Sequence, residues 1–570
     1  MSGISRRRFF LAATAAVGVV AGFSTPASAR TTAARAMAID GTTLQSVAAP
    51  IGAAGYRKLT DGPGWPLVVR TDLAAGSPGR DDRRRPVTSF VQLTDLHVCD
   101  AQSPMRFEYA YPYFGGAFRP HETLSALGAA SLVERVNSLS GGPFTGRRFD
   151  FVMNTGDSTD NNEVIELDWY LDILNGGTVT PDSGAPGRYE GVQNSGLSLY
   201  WNPESAGPDK FKQAGFGQLP GFLSAAIRSF HSPGLSVPWF ATFGNHDDSV
   251  VGAVPDLPVL LAIYTGAVKV QGVSDATAQK LASKMRTNPN EAADLLASLT
   301  GIVRIVTPDL RRRPFTAGQF VRAHLDPANT GPGPVGHGFS TANLGNDVYY
   351  AFPMAAGVTG ISLDTTNRAG LSDGSLNAGQ LHWLENVLKS KSSRYYDTDG
   401  TLVRQQVTDE LLVLFSHHTS TTMGNLLPDP THLLERRYDG PALVALLQRF
   451  PNVVAWVNGH THRNAITAHP GSTPDRGFWE INTASHVDYP QHARIVELAD
   501  NADGTLSVFT TLIESAAGYS TSANDLSQAG LASWYRELAF NDISGDLSRV
   551  GSANDHNTEL LLPNPLGSAV

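Results

Sequence analysis

A single cysteine, Cys99, in 570 residues excludes an intrachain disulfide and leaves no lipoprotein cysteine near the amino terminus. A chain without disulfides is suited to folding in a reducing compartment. Positive charge is also in deficit: 43 Lys and Arg stand against 53 Asp and Glu, a formal charge of −10. Such a surface disfavours nonspecific binding to a nucleic-acid duplex. It does not oppose a small phosphate ester, because at roughly one Debye length, about 8 Å, the charge of a local site outweighs the distant surface. There is no internal repeat and no low-complexity tract, and the apolar stretch Phe10–Phe23 is short for a membrane span and leads into no stop-transfer pattern.

What the chain does have is a set of five short polar motifs, each directly after a run of β-forming apolar residues. Asp95-x-His97 follows Phe90–Leu93, Gly156-Asp157 follows Phe149–Met153, and Gly244-Asn245-His246-Asp247 follows Trp239–Phe243. His417-His418 follows Leu411–Phe415, and Gly459-His460-Thr461-His462 follows Val453–Val457. Five strands would therefore deliver polar side chains to one edge of a layered α/β core, where folds of this class place their chemistry.

The residue types suit two divalent cations. Held about 3.5 to 4 Å apart, two such ions need a bridging carboxylate, a bridging water or hydroxide, and terminal oxygen and imidazole ligands. The chain offers two carboxylates (Asp95, Asp157), one amide oxygen (Asn245) and four imidazoles (His97, His417, His460, His462). Two divalent ions against two carboxylates leave a net positive charge, even after a hydroxide is counted, and such a site attracts a phosphate anion.

The ordered set D-x-H, G-D, G-N-H-D, H, G-H-x-H resembles the calcineurin-like metallophosphoesterase superfamily, over roughly Phe90 to Leu498. The resemblance implies an α/β fold, a four-layer α-β-β-α sandwich of two mixed sheets with a helical insertion and the metal site at the carboxyl ends of the strands. It implies that Asp95, His97 and His462 hold one metal, that Asn245, His417 and His460 hold the other, and that Asp157 bridges. The metals would be two divalent transition-metal ions, Mn, Fe or Zn. It also implies that His246 sits over the substrate. An unligated imidazole there suits protonation of a leaving group as a bridging hydroxide attacks phosphorus. Asp247 beside it is read either as orienting that ring or as an ordinary acid at a helix start. Val348–Phe352 and Val358–Asp364 resemble the strand pair that precedes the fourth motif, and Gln380–Lys389 the helix that follows that pair. Asp160 occupies the place where purple acid phosphatases carry a metal-bound tyrosine, which argues against a purple-type iron site.

Other polar residues have plainer readings. His418 is read as a core histidine or one that supports a ligand, and Cys99 as a small buried residue. Arg119 and His121 could lean over the metals, but a surface helix start is the preferred reading. The run Arg311–Arg313 is read as a solvated basic turn.

Residues 1–29 resemble a twin-arginine signal peptide: Arg6-Arg7-Arg8 opens a basic region, Phe10–Phe23 is apolar, and Ala27-Ser28-Ala29 offers a cleavage site. Cleavage would take the formal charge from −10 to −13, since residues 1–29 hold three arginines and no acid. The twin-arginine machinery, an expected partner, carries folded proteins, so metals could be loaded before export to the cell envelope, periplasm or exterior. A retained anchor is the alternative.

The remaining organisation reads as an extended arm at 30–85 with a short strand at Pro66–Arg70, a catalytic domain at 86–515 with insertions at about 175–235 and 250–340, and a C-terminal helix and tail at 516–570. Within the larger insertion, Ser274–Met285 and Asn288–Leu299 predict two capped helices that could form a cap over the metals. Gly477–Asp488 and Ala493–Leu498 predict two strands closing a second sheet, Leu531–Leu538 a helix, and the residues after about Ser548 a mobile end. The functional expectation is a phosphoester hydrolase that leans to phosphodiesters, with a phosphomonoesterase or a non-catalytic metal-binding surface protein as alternatives.

Overall fold

The computed structural model describes residues 38–567 except 346, so the expected signal peptide at 1–29 lies outside the described residues. No helix among the described residues is long and apolar enough to cross a membrane. The strands that matter for the site are, in chain order, β1 (Val68–Arg70), β2 (Arg85–Leu93), β3 (Phe151–Asn154), β4 (Trp239–Ala241), β5 (Tyr350–Ala355), β6 (Val358–Ser362), β7 (Leu411–Phe415), β8 (Val453–Asn458), β9 (Ala465–His469), β10 (Phe478–Asn482), β11 (His492–Asp500), β12 (Thr505–Glu514) and β13 (Thr558–Pro563). They form two mixed sheets. One has seven strands in the order β1-β13-β12-β11-β2-β3-β4, with β2, β3 and β4 parallel. The other has six in the order β5-β6-β7-β8-β10-β9, with β6, β7, β8 and β10 parallel between antiparallel edges.

Strand β7 shows how sequence sets the layering. Successive side chains of a strand point to opposite faces. Leu411, Val413 and Phe415 join a core that also holds Phe90 and Phe151 of the seven-stranded sheet, whereas Leu412 and Leu414 join a second core. Buried on both faces, the strand reads as a continuous apolar run, as parallel strands do. Phe90 lies with its ring centroid 5.0 Å from that of Phe151 and 5.5 Å from that of Phe415, stitching the two sheets together.

Helices complete both cores. Helices α1 (Ser125–Ser138), α2 (Val164–Asn175) and α7 (Gln528–Phe540) add Leu127, Ile165 and Leu531 to the first core. Helices α5 (Ala378–Ser390) and α6 (Gly440–Leu447) add Leu384, Leu388 and Leu443 to the second. In the large insertion, α3 (Asp275–Thr287) and α4 (Pro289–Ala297) start where the sequence predicts: the Ser274 hydroxyl accepts from Thr277 N–H, and the Asn288 side chain accepts from Glu291 N–H. Such caps stabilise a helix by about 1 kcal/mol each. The insertion docks through the fully buried Lys269, whose Nζ donates to Glu108 Oε1 at 2.7 Å.

The two closing strands do not share a sheet: β10 joins the six-stranded sheet and β11 the seven-stranded one. The chain end is not mobile from Ser548. Residues 558–563 are β13, which pairs antiparallel with β12 and parallel with β1, burying Leu560, Leu561 and Leu562. That apolar run lies too close to the chain end to stand out, yet it fills the gap between the arm and the core. The basic run is not a solvated turn throughout: Arg312 is fully buried, with Nε 3.1 Å from Asp100 Oδ2, while Arg311 and Arg313 are exposed.

Candidate metal centre

All five motifs sit just beyond the carboxyl ends of parallel strands: β2, β3 and β4 from one sheet, β7 and β8 from the other. The loops lie side by side. Asp95 N–H donates to Gly156 O at 3.1 Å, His97 N–H to Asp157 O at 3.0 Å, and Gly459 N–H to His417 O at 3.0 Å. To turn so sharply, the backbone is left-handed at Asp95 (φ 50°), His97 (φ 44°), Asp157 (φ 52°), His460 (φ 70°) and His462 (φ 55°). Such conformations cost non-glycine residues about 1–3 kcal/mol each and cluster at functional sites. The motif glycines are needed for close approach. A Cβ on Gly244 would overlap Asp157 Oδ1, and one on Gly459 would overlap Thr94 Oγ1.

The seven expected ligand residues come together. His462 Nε2 is 3.2 Å from Asp95 Oδ1, His97 Nε2 is 3.4 Å from Asp157 Oδ2, and His417 Nε2 is 3.1 Å from the same Asp157 oxygen. His460 Nδ1 lies 3.1 Å from Asn245 Oδ1 and 3.2 Å from His417 Nε2. Asn245 Nδ2 donates to Gly252 O at 3.0 Å, which turns its Oδ1 towards His460.

The opposite ring nitrogens are spoken for. His97 Nδ1 donates to Asp160 Oδ1 at 2.8 Å, His462 Nδ1 to Asp488 Oδ2 at 2.6 Å, and His417 Nδ1 to Thr155 O at 2.9 Å. Each bond places the ring proton on Nδ1 and leaves the Nε2 lone pair facing inwards, the arrangement that carboxylate or carbonyl partners impose on ligating histidines. Asp95 Oδ1 and His97 Nε2 are buried without a hydrogen-bond partner. Lone pairs of imidazole and carboxylate converging in a buried pocket repel unless a cation lies between them, so the donor set fits metal binding. Asp95, His97, Asp157 and His462 form one group able to hold a metal ion, and His417 and His460 belong to a second with His418.

His418 occupies the supporting position. Its Nδ1 accepts from Thr365 Oγ1 at 2.8 Å and its Nε2 donates to Ser372 O at 2.9 Å, which uses both ring nitrogens. His246 is half-buried, and its Nδ1 donates to Asp160 O at 2.8 Å, so Nε2 is its available nitrogen. Burial, then the neighbouring His97, pushes the His246 pKa down to about 4. Asp247 lies in a turn rather than at a helix start, and its carboxylate accepts from the backbone N–H groups of Ser158, Thr159 and Gly244 at 3.0–3.2 Å. Cys99 is buried, and burial pushes its thiol up, as suits a small core residue.

Arg119 and His121 do lead into a helix start, His121 preceding the turn Glu122–Leu124 that runs into α1, but it is not at the surface. Both are buried, and His121 Nε2 donates to Val487 O at 2.7 Å. Arg119 Nε donates to Asp488 Oδ1 at 2.6 Å, and its Nη1 is 3.6 Å from Asp160 Oδ1. Burial opposes ionisation of Asp160, but Arg106 and then His97 hold it well below the usual carboxylate range. Burial likewise opposes ionisation of Asp488, and Arg119 and Arg549 hold it low. Sequence reasoning missed the supporting roles of Asp160, Asp488 and Arg119. The only signals were an acid three residues after Asp157 and an acid closing the β10 loop.

No protein-family profile and no curated protein matches the sequence. Among solved structures, the chain is similar to a dimetal phosphatase from Danio rerio, at 13% identity, covering 76% of this chain and 100% of that one with a TM-score of 0.33. It is also similar to a purple acid phosphatase from yellow lupin (Lupinus luteus) seeds, at 10% identity, covering 80% of this chain and 53% of that one with a TM-score of 0.27.

Proposed function

We propose that this chain is a metal-dependent phosphoester hydrolase with a four-layer α-β-β-α core, two divalent transition-metal ions and a preference for phosphodiesters. The observation that carries the reading is the convergence of four imidazoles, two carboxylates and one amide oxygen from five strand ends, with three imidazole Nε2 atoms turned to carboxylate oxygens. Asp95, His97 and His462 would hold one ion and Asn245, His417 and His460 the other, with Asp157 shared. When bound, such ions polarise phosphoryl oxygens and activate water as a nucleophile.

The chain's own residues set the rest. His246, fixed through Nδ1, presents Nε2 to the substrate's leaving oxygen. Because burial and His97 hold its pKa low, it donates from its minor protonated form, and this role strengthens as pH falls. Asp247 ties the loop after β4 to that after β3 and so holds Asn245 and His246 in register with Asp157. The diester preference is supported by charge. The arginines behind the ligands are each spent on carboxylates: Arg106 on Glu122 and Asp160, Arg119 on Asp488, and Arg549 on Asp488. That leaves the metals as the main positive charge for the substrate, enough for a diester monoanion and less suited to a monoester dianion. The expected setting is outside the cytoplasm, reached by the twin-arginine route.

A phosphate-release and aryl-release screen on the metal-reconstituted mature protein tests the reading. Turnover of a bis-aryl phosphate is expected. A mono-aryl ester turned over while the bis-aryl ester is untouched would refute the diester preference, and no turnover of either would refute the hydrolase.

A further inference from the structure

The two expected metal positions differ in what stands behind their imidazoles. His417 Nδ1 is held by a neutral backbone carbonyl, Thr155 O, and Asn245 Nδ2 by another, Gly252 O. His97 and His462 are instead held by carboxylates, Asp160 and Asp488. These acids come from distant parts of the chain, and the side chain that spans them is Arg119, only 4% exposed. Its Nε and Nη2 grip Asp488 at 2.6 and 3.4 Å, and its Nη1 lies 3.6 Å from the Asp160 oxygen that receives His97. Glu122 Oε2 accepts from Arg119 N–H at 2.9 Å and pairs at 2.7 Å with Arg106, which also pairs with Asp160. The stretch from Arg119 to Glu122 is thereby anchored at its backbone while its guanidinium does the spanning.

We propose that Arg119 is a positioning residue for one metal site: with Nη1 fixed on Gly116 O, it grips Asp488 by hydrogen bonds and faces Asp160 as a counter-charge, so that it orients His462 and His97 together and sets the affinity of that site without setting that of the other. This inference rests on the two-metal reading above. A planar guanidinium fork can serve two carboxylates at once, which a lysine ammonium does less well. Loss of a residue that supports ligands typically costs about 10–100-fold in metal affinity. Asp488 also receives Arg549, whose side chain is 28% exposed, so some charge compensation survives when Arg119 is replaced.

The test is calorimetric titration of the metal-stripped full chain with Mn²⁺, comparing wild type with Arg119→Gln, Arg119→Lys and Asp488→Asn. Wild type should bind two ions. Arg119→Gln should weaken one binding phase by about 10–100-fold and leave the other within about threefold, Arg119→Lys should fall between, and Asp488→Asn should weaken the same phase. Two unchanged phases, or two phases weakened alike, in Arg119→Gln would overturn the inference and leave the two-metal reading standing. If Arg119→Gln does not fold, Arg119→Lys decides by the same criteria. A wild-type chain that binds no Mn²⁺ would overturn the two-metal reading, and this inference with it.

Discussion

Asp157 Oδ2 lies 3.1 Å from His417 Nε2, so the carboxylate delivered by β3 of the seven-stranded sheet meets the imidazole delivered by β7 of the six-stranded sheet. The same oxygen is 3.4 Å from His97 Nε2. One atom thus stands between the residues proposed for both metal positions. Asp157 Oδ1 is used differently: it accepts from His246 N–H at 2.9 Å and so also places the residue assigned to the leaving group.

Asp157→Ala should therefore abolish activity, by about three orders of magnitude or more in kcat/KM, because it removes the shared ligand and the contact that seats His246. A loss of about 4 kcal/mol of transition-state stabilisation corresponds to that factor. Steady-state kinetics on an aryl phosphodiester, with metal content measured in parallel, checks this.

His246→Ala should keep its metals. Esters with poor leaving groups should slow by about 10²–10⁴-fold and those with good leaving groups far less, as expected for lost proton transfer. A series of aryl esters of graded leaving-group pKa reads this directly, and equal slowing across the series would refute the acid role.

The strands and the gathering of the motif residues at their ends were legible in the sequence for a physical reason. A parallel strand buried on both faces must be a short apolar run, and a ligand loop must turn at once, so β7 followed by His417 and β8 followed by Gly459-His460-Thr461-His462 stand out. The helix caps at Ser274 and Asn288 were legible because capping is local chemistry. What was hidden depends on contacts distant in sequence. Asp488 is 369 residues from Arg119, and nothing near either one announces the pair. In the same way, β13 is held as a strand by pairing with β12 and β1, and β1 lies almost five hundred residues away in sequence, while the six residues of β13 carry no strong signal.

Leu562→Ala tests that last point. The side chain is 1% exposed in β13, and truncating a buried leucine costs about 2–5 kcal/mol. Chemical denaturation should show that loss, whereas a mobile end would show none.

Acid should destabilise the fold independently of the metals. His324 and His337 pack beside Trp239, with His324 Nε2 and His337 Nδ1 buried and unpartnered. Burial pushes His324 down to about 4, and burial followed by His324 pushes His337 down to about 2. A histidine whose pKa is lower folded than unfolded binds protons more readily once unfolded. Its neutral form is accommodated above the unfolded value of about 6.5, and stability is lost as pH falls from there through the folded value. Denaturation midpoints should fall between about pH 6.5 and 4, and His324→Phe should flatten that slope.

Counting metal on the purified protein, and following whether activity tracks it, decides whether this site is a metal centre. About two transition-metal ions per chain are predicted, with activity lost on chelation and restored by Mn²⁺ or Zn²⁺. A metal-free chain that is fully folded and hydrolyses phosphoesters would rule out a metal-dependent site.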